Sequence, residues 1–298
     1  MTTTTGTPRR AEFKSFFTCR HPDRFKIAWR TFYENAQART DAVRARWRHE
    51  LDIPYGPHVQ HRLDLYYPRA DSAPGGLAPT LLFLHGGGFR EGDPTLYGYL
   101  AEPYLQRGVI FGSVGYRLTP ESYLPDTMRD VEDALAWCAA NLPARGGDPA
   151  RFVLAGHSAG AILTAHLVVR NDWLSQRGLP SELIKAAIPI SGVYDFSDTT
   201  DHAEFFTDDS QRVPASPLFI ITTTPPPMTV AFGSLENRPT YGQDSQRLVD
   251  AVRARGASAE LLNLQNLDHA DTVNALADEH SPLFQSVAAL IASASAQR

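Results

Sequence analysis

Short apolar runs alternate with longer stretches of helical periodicity along most of the chain. Leu81-Leu82-Phe83-Leu84 is continuously apolar, 109–114 nearly so, and Arg62-Leu63-Asp64-Leu65-Tyr66-Tyr67 begins with a period of two. Such runs read as strands, and the unbroken ones as strands covered on both faces. Arg151-Phe152-Val153-Leu154-Ala155 and the segments 186–190, 228–232 and 259–264 add four more. Between them, Met128, Val131, Leu135 and Cys138 fall on one face of a helix that follows Pro125, and a helix-forming stretch covers 161–169. Further helices are predicted over 243–255 and 282–294. Strands and helices taking turns predict an α/β fold, a mostly parallel sheet with helices on both faces.

Two segments depart from this alternation. Over 23–50, Phe25, Trp29, Phe32, Tyr33, Ala36, Val43 and Trp47 recur at mostly helical spacings among charges. They predict an amphipathic arm over 21–50, which either packs on the outside of the domain or forms part of a lid. Residues 1–20 read as a disordered tail, and 51–298 as one α/β domain. Within it, 191–227 is polar, acidic and ends in prolines. Long irregular stretches are uncommon in compact domains, so this one is either a plain surface loop or a substrate-facing wall.

Composition narrows the function. The 298 residues carry 28 Lys+Arg against 33 Asp+Glu, a net charge of −5, unlike the usual basic nucleic-acid binder. Hydrophobic residues make up 43% of the chain, enough for a large core. No apolar run approaches the roughly 18 residues of a membrane span, and no apolar stretch backs Arg9 and Arg10 as in a secretory signal. These features lead us to expect a cytoplasmic protein that binds neither nucleic acid nor membrane. Cys19 and Cys138 are too few for a disulfide framework or a metal knuckle and read as reduced and structural.

The candidate chemistry begins at Gly156-His157-Ser158-Ala159-Gly160, directly after the strand at 151–155 and directly before a helix. A serine on so tight a strand-to-helix turn needs small neighbours and projects its hydroxyl above the sheet. The helix start adds free N–H groups suited to a developing oxyanion. His85-Gly86-Gly87-Gly88-Phe89 ends an earlier strand. Its glycines allow the N–H groups of Gly87 and Gly88 to converge, with that of Ala159, on a carbonyl oxygen under attack by Ser158.

A serine hydroxyl needs a base at neutral pH, and histidine is suited to that role. In sites of this kind the base follows the nucleophile and acid along the chain, which points to His269, just after the last strand. His280 lies in the approach to a helix, and His157 is read as shaping the turn. For the carboxylate that orients the imidazole, Glu236, just beyond the strand at 228–232, is the leading candidate; Asp195, after the preceding strand, is its rival.

HGGGF at 85–89, YRLTP at 116–120, GHSAG at 156–160, SGVYDF at 191–196 and DHAD at 268–271 together resemble the α/β-hydrolase superfamily, specifically its hormone-sensitive-lipase-like and kynurenine-formamidase-like esterases. The resemblance covers about residues 55–290, and GSLENRPTYGQDSQ at 233–246 is similar to the arylformamidases. It implies an α/β-hydrolase fold with a small helical N-terminal cap. The implied roles are Ser158 as nucleophile, His269 as base, Glu236 as acid, and Gly87, Gly88 and Ala159 as oxyanion donors. It implies no cofactor or metal, a small ester or amide substrate, and the homodimer common among such enzymes. Glu236 stands where that family usually has aspartate, Phe89 where it often has Trp, and Ala270 where an aromatic often follows the histidine. Phe89, Tyr116, His157, Trp173, Leu235 and Ala270 are the expected pocket residues. Two other functions are compatible with the same residues: an acyltransferase, and a ligand binder on a silent hydrolase fold.

Overall fold

The computed structural model describes residues 29–69 and 76–296. The tail read over 1–20 and the start of the arm, with Cys19 and Phe25, lie outside the described residues. Among the described residues, eight strands form one sheet: β1 (His49–Pro54), β2 (Arg62–Tyr66), β3 (Ala78–Leu84), β4 (Ile110–Val114), β5 (Gly147–His157), β6 (Ile184–Ile190), β7 (Met228–Gly233) and β8 (Ala259–Leu264). Their order is β1-β2-β4-β3-β5-β6-β7-β8. β1 and β2 run antiparallel to their neighbours, and every pair from β4 to β8 is parallel. The helices are α1 (Trp29–Arg44), α2 (Glu102–Leu105), α3 (Leu124–Asn141), α4 (Ala159–Val169), α5 (Asp172–Gln176), α6 (Arg212–Ala215), α7 (Thr240–Ala254), α8 (Asp271–Asn274) and α9 (Pro282–Ala296).

Alternation along each strand divides the core in two. Leu82, Leu84 and Leu154 pack with Val131, Leu135, Leu163 and Leu248 from α3, α4 and α7. Leu81, Phe83, Val153 and Ala155 face the other way, onto Tyr33, Tyr104, Phe284 and Val287 from α1, α2 and α9. Both faces are covered, which is why the central strands read as unbroken apolar runs. Cys138 lies in the first of these cores, and burial pushes its thiol up to about 12.

One boundary differs from the periodicity. The arm was expected to stay helical through Glu50, but α1 stops at Arg44 and His49–Pro54 is the edge strand. Trp47 fits the helical spacing, yet it packs from the turn between them, its indole N–H donating to Glu102. The strand exists because residues 49–54 find partners on β2, a pairing that local spacing does not encode. α1 is fastened to the domain through buried Thr40, which donates to Leu96 O at 2.9 Å and accepts from Tyr99 N at 3.0 Å.

The segment 191–227 contains short helical turns rather than a strand. The buried Arg212 guanidinium donates to the carbonyls of Phe196, Asp198, Thr199 and Asp201. Its loops close around that one cation, satisfying backbone groups that no sheet or helix would. Among the described residues, no helix is long and apolar enough to cross a membrane.

Candidate active site

Ser158 stands between the end of β5 and the start of α4 with φ 55° and ψ −116°, a conformation that L-residues seldom adopt. The neighbouring glycines are required by contact. A Cβ at Gly156 would lie 2.2 Å from Gly160 O, and one at Gly160 would lie 2.0 Å from Leu84 O. The turn is pinned by Ser158 N donating to Ile190 O at 2.8 Å. The serine hydroxyl is thereby held at the carboxyl end of the sheet, half-buried.

The loops after β7 and β8 bring two more side chains to it. His269 Nε2 is 2.9 Å from Ser158 Oγ, and His269 Nδ1 is 2.8 Å from Glu236 Oε2. Both the imidazole and the carboxylate are 4% exposed, so their interaction is little screened by water. Asp195 is engaged elsewhere: it accepts from Ser197 and, at 2.7 Å, from Arg247. Asp268 accepts from the N–H groups of Ala270 and Asp271. The geometry therefore places Glu236, and not Asp195, on the histidine.

The glycine loop adjoins the serine. A Cβ on Gly86 would come within 3.1 Å of Ser158 Cβ. Gly87 has φ 122° and Gly88 φ 59°; the first would also drive a Cβ into Glu91 O at 2.0 Å, whereas the second has open space around it. Gly88 is needed for its backbone angle, Gly87 for both angle and room. Ala159 opens α4, so its N–H has no acceptor within the helix.

The expected pocket residues divide. Phe89 meets Phe205 of the 191–227 segment edge-on at 4.9 Å, and Arg90 pairs with Glu204 at 3.5 Å, so that segment packs against the glycine loop. Ala270 and His157 are buried beside the histidine. Tyr116 instead supports the loop from within the core, stacked on His85 at 4.4 Å and donating to His85 O at 2.6 Å. Trp173 is wholly enclosed, its indole donating to Leu167 O, and Leu235 is 60% exposed. Large rings fill the core first, which corrects the pocket placement of Tyr116 and Trp173; Phe89, 1% exposed, is equally buried in the same core.

Two contributors went unread in the sequence. Thr272, in α8, donates to His269 O at 2.9 Å and shares a second hydrogen bond with Ser191. Tyr241, in the first turn of α7, stacks on the His269 ring at 4.7 Å. An aromatic at the start of the helix that follows the acid's loop was the available clue.

Residues 81–271, which include the glycine loop, Ser158, Glu236 and His269, match the model of a protein family described as alpha/beta hydrolase fold. The chain belongs to the α/β-hydrolase-fold family. Among α/β-hydrolase relatives, it is 32% identical to Esterase LipQ of Mycobacterium tuberculosis (strain ATCC 25618 / H37Rv) over 244 residues, 74% of this chain and 58% of LipQ. It thus spans little more than half of that relative's length. It is 25% identical to the kynurenine formamidase of Danio rerio over 249 residues, 81% of each chain. In fold it is similar to the crystal structure of Esterase B from Lactobacillus rhamnosis (HN001), with a TM-score of 0.69 and 20% identity over 89% of this chain and 92% of that one.

Proposed function

We propose that this α/β-hydrolase is a serine hydrolase that cleaves carboxylic esters or aryl formamides of small apolar or aromatic substrates. The observation that carries this reading is the Glu236–His269–Ser158 hydrogen-bond line, with steps of 2.8 and 2.9 Å, ending beside a glycine loop. Relatives named esterase and kynurenine formamidase support the same class.

In this mechanism Ser158 Oγ attacks the substrate carbonyl while His269 Nε2 takes its proton. The negative charge on the carbonyl oxygen is met by the N–H groups of Gly87, Gly88 and Ala159. Glu236 accepts from Nδ1–H, fixing the tautomer and offsetting the imidazolium charge. The bond to the leaving alcohol or amine then breaks, and the leaving group receives the proton from His269. Water repeats the sequence on the acyl-enzyme, or on the formyl-enzyme of a formamide, and Ser158 recovers its proton. An acyltransferase would differ only in excluding water at this second step.

The test compares kcat/KM for N-formylkynurenine with that for short-chain p-nitrophenyl esters, using Ser158→Ala as the blank. Formamide preference assigns an arylformamidase, and ester preference a carboxylesterase. Turnover retained by Ser158→Ala overturns the mechanism, and acyl transfer to added alcohols in preference to water assigns the transferase.

A further inference from the structure

Tyr241 touches both ends of the proton transfer. Its ring lies 4.7 Å from the His269 ring at an interplanar angle of 28°, and its hydroxyl meets the side chain of Ser158. The residue is 7% exposed. Its position is fixed by the next residue: a Cβ on Gly242 would come within 2.9 Å of the Phe232 ring, so this turn of α7 sits directly on β7. Burial, reinforced by the Glu236 charge, raises the phenol well above its ordinary value. The hydroxyl therefore keeps its proton throughout the neutral range and is available as a donor.

We propose that Tyr241 is a further catalytic residue, whose hydroxyl donates to Ser158 Oγ as that oxygen leaves the acyl-enzyme. This inference rests on the serine-hydrolase reading above. Ser158 Oγ has one proton and two lone pairs. Its proton is directed to His269 Nε2, and a second donor fits a remaining lone pair. Attack and departure of Oγ pass through the same kind of transition state, so the donor's effect differs only through the state each starts from: in the resting enzyme it already meets the serine hydroxyl, and the barrier to attack changes little. The donor helps the reverse event. During deacylation, water oxygen bonds to the acyl carbon and gives a proton to His269 Nε2. The C–Oγ bond then breaks with its electron pair passing to Oγ, and His269 returns the proton there. Tyr241 keeps its own proton throughout. In the acyl-enzyme Oγ is an ester oxygen and a weak acceptor, and charge grows on it as that bond breaks, so a prepositioned donor stabilises this transition state more than the acyl-enzyme before it.

Tyr241→Phe retains the stacked ring and removes only the hydroxyl, so it tests the donor. The measurement uses p-nitrophenyl acetate and butyrate, whose good leaving group makes deacylation the slower half. kcat is expected to fall about tenfold with KM falling in parallel, leaving kcat/KM within about threefold of wild type. The p-nitrophenolate burst rises toward one equivalent per Ser158, while the rate of fluorophosphonate labelling, which reads only attack by Ser158, is unchanged. Wild-type kcat, KM and burst in the variant overturn the proposal. So does a parallel fall of kcat, kcat/KM and labelling rate, which assigns Tyr241 a purely supporting role. Failure of the underlying reading looks different: wild-type turnover would then be no greater than that of Ser158→Ala.

Discussion

The Nε2 atom of His157 lies 2.8 Å from the carbonyl oxygen of His269, so the residue before Ser158 holds the backbone of His269. The two imidazole rings are 4.8 Å apart. Burial, with His269 adding to it, pushes His157 well below its ordinary value, so it is neutral and donates Nε2–H. Thr272 supplies a second donor to the same carbonyl. The His157 bond ties the loop after β8 to the turn after β5, and Thr272, which also shares a hydrogen bond with Ser191, ties it to the end of β6. Ser158 and His269 are therefore positioned by one connected structure, as a 2.9 Å contact between side chains far apart in sequence requires.

The choice of acid gives the first prediction. Glu236 Oε2 faces Nδ1 of the histidine, and Oε1 is enclosed with no hydrogen-bond partner among the described residues. The carboxylate's charge is thus directed at the imidazole. Glu236→Gln keeps the shape but removes the charge and offers an amide in place of an acceptor, and kcat should fall by about 10²–10⁴-fold. Asp195→Asn loosens the ion pair with Arg247 and should leave kcat within about threefold. Steady-state kinetics of the two variants decide the matter, and the reverse ranking would return Asp195 to the acid position.

Much of this site is legible in the sequence because its residues occupy strand ends. Gly156 and Gly160 are demanded by a turn that a local motif specifies, and Ser158, His269 and Glu236 each follow an apolar run that reads as a strand. The missed parts depend on long-range partners. β1 is a strand through its pairing with β2, although Trp47 extends the helical spacing. Tyr116 and Trp173 are aromatic positions near the motifs, but whether such a ring lines a pocket or fills the core depends on packing around it. Tyr241 and Thr272 act through contacts with His269 made only once α7, α8 and the sheet are assembled.

Backbone strain at Ser158 gives the second prediction. Ser158 holds φ 55° and ψ −116°, where glycine alone is at ease. Ser158→Gly should abolish turnover yet stabilise the fold by about 1 kcal/mol, the relief of strain exceeding the added freedom of the unfolded chain. Ser158→Ala keeps the Cβ and the strain, so it should be equally inactive without the gain. Urea unfolding of the three proteins measures the difference. A glycine variant no more stable than the alanine variant would show that the turn is not strained.

The buried histidines fix the sign of the pH dependence of stability. Burial pushes His157 well below its ordinary value and His166 down to about 3. In the unfolded chain both titrate near 6.5, so below that pH the unfolded state takes up protons that the folded state does not. Stability is therefore full above about pH 6.5 and lost as the pH falls, by about 1.4 kcal/mol per pH unit for each histidine. Glu132, Asp244 and Asp271, whose carboxyls burial pushes upward, work in the opposite sense. Their effect enters as the pH approaches the carboxylate range, so the histidines set the slope between about pH 6.5 and 5.5. Urea unfolding across that interval should give a falling stability, and His166→Gln should remove less than half of the slope, because the partly buried His58, also pushed down by burial, adds to it in the same sense. A flat profile would mean that these side chains gain their protons without unfolding, through a local opening that admits water to the nucleophile turn or to α4.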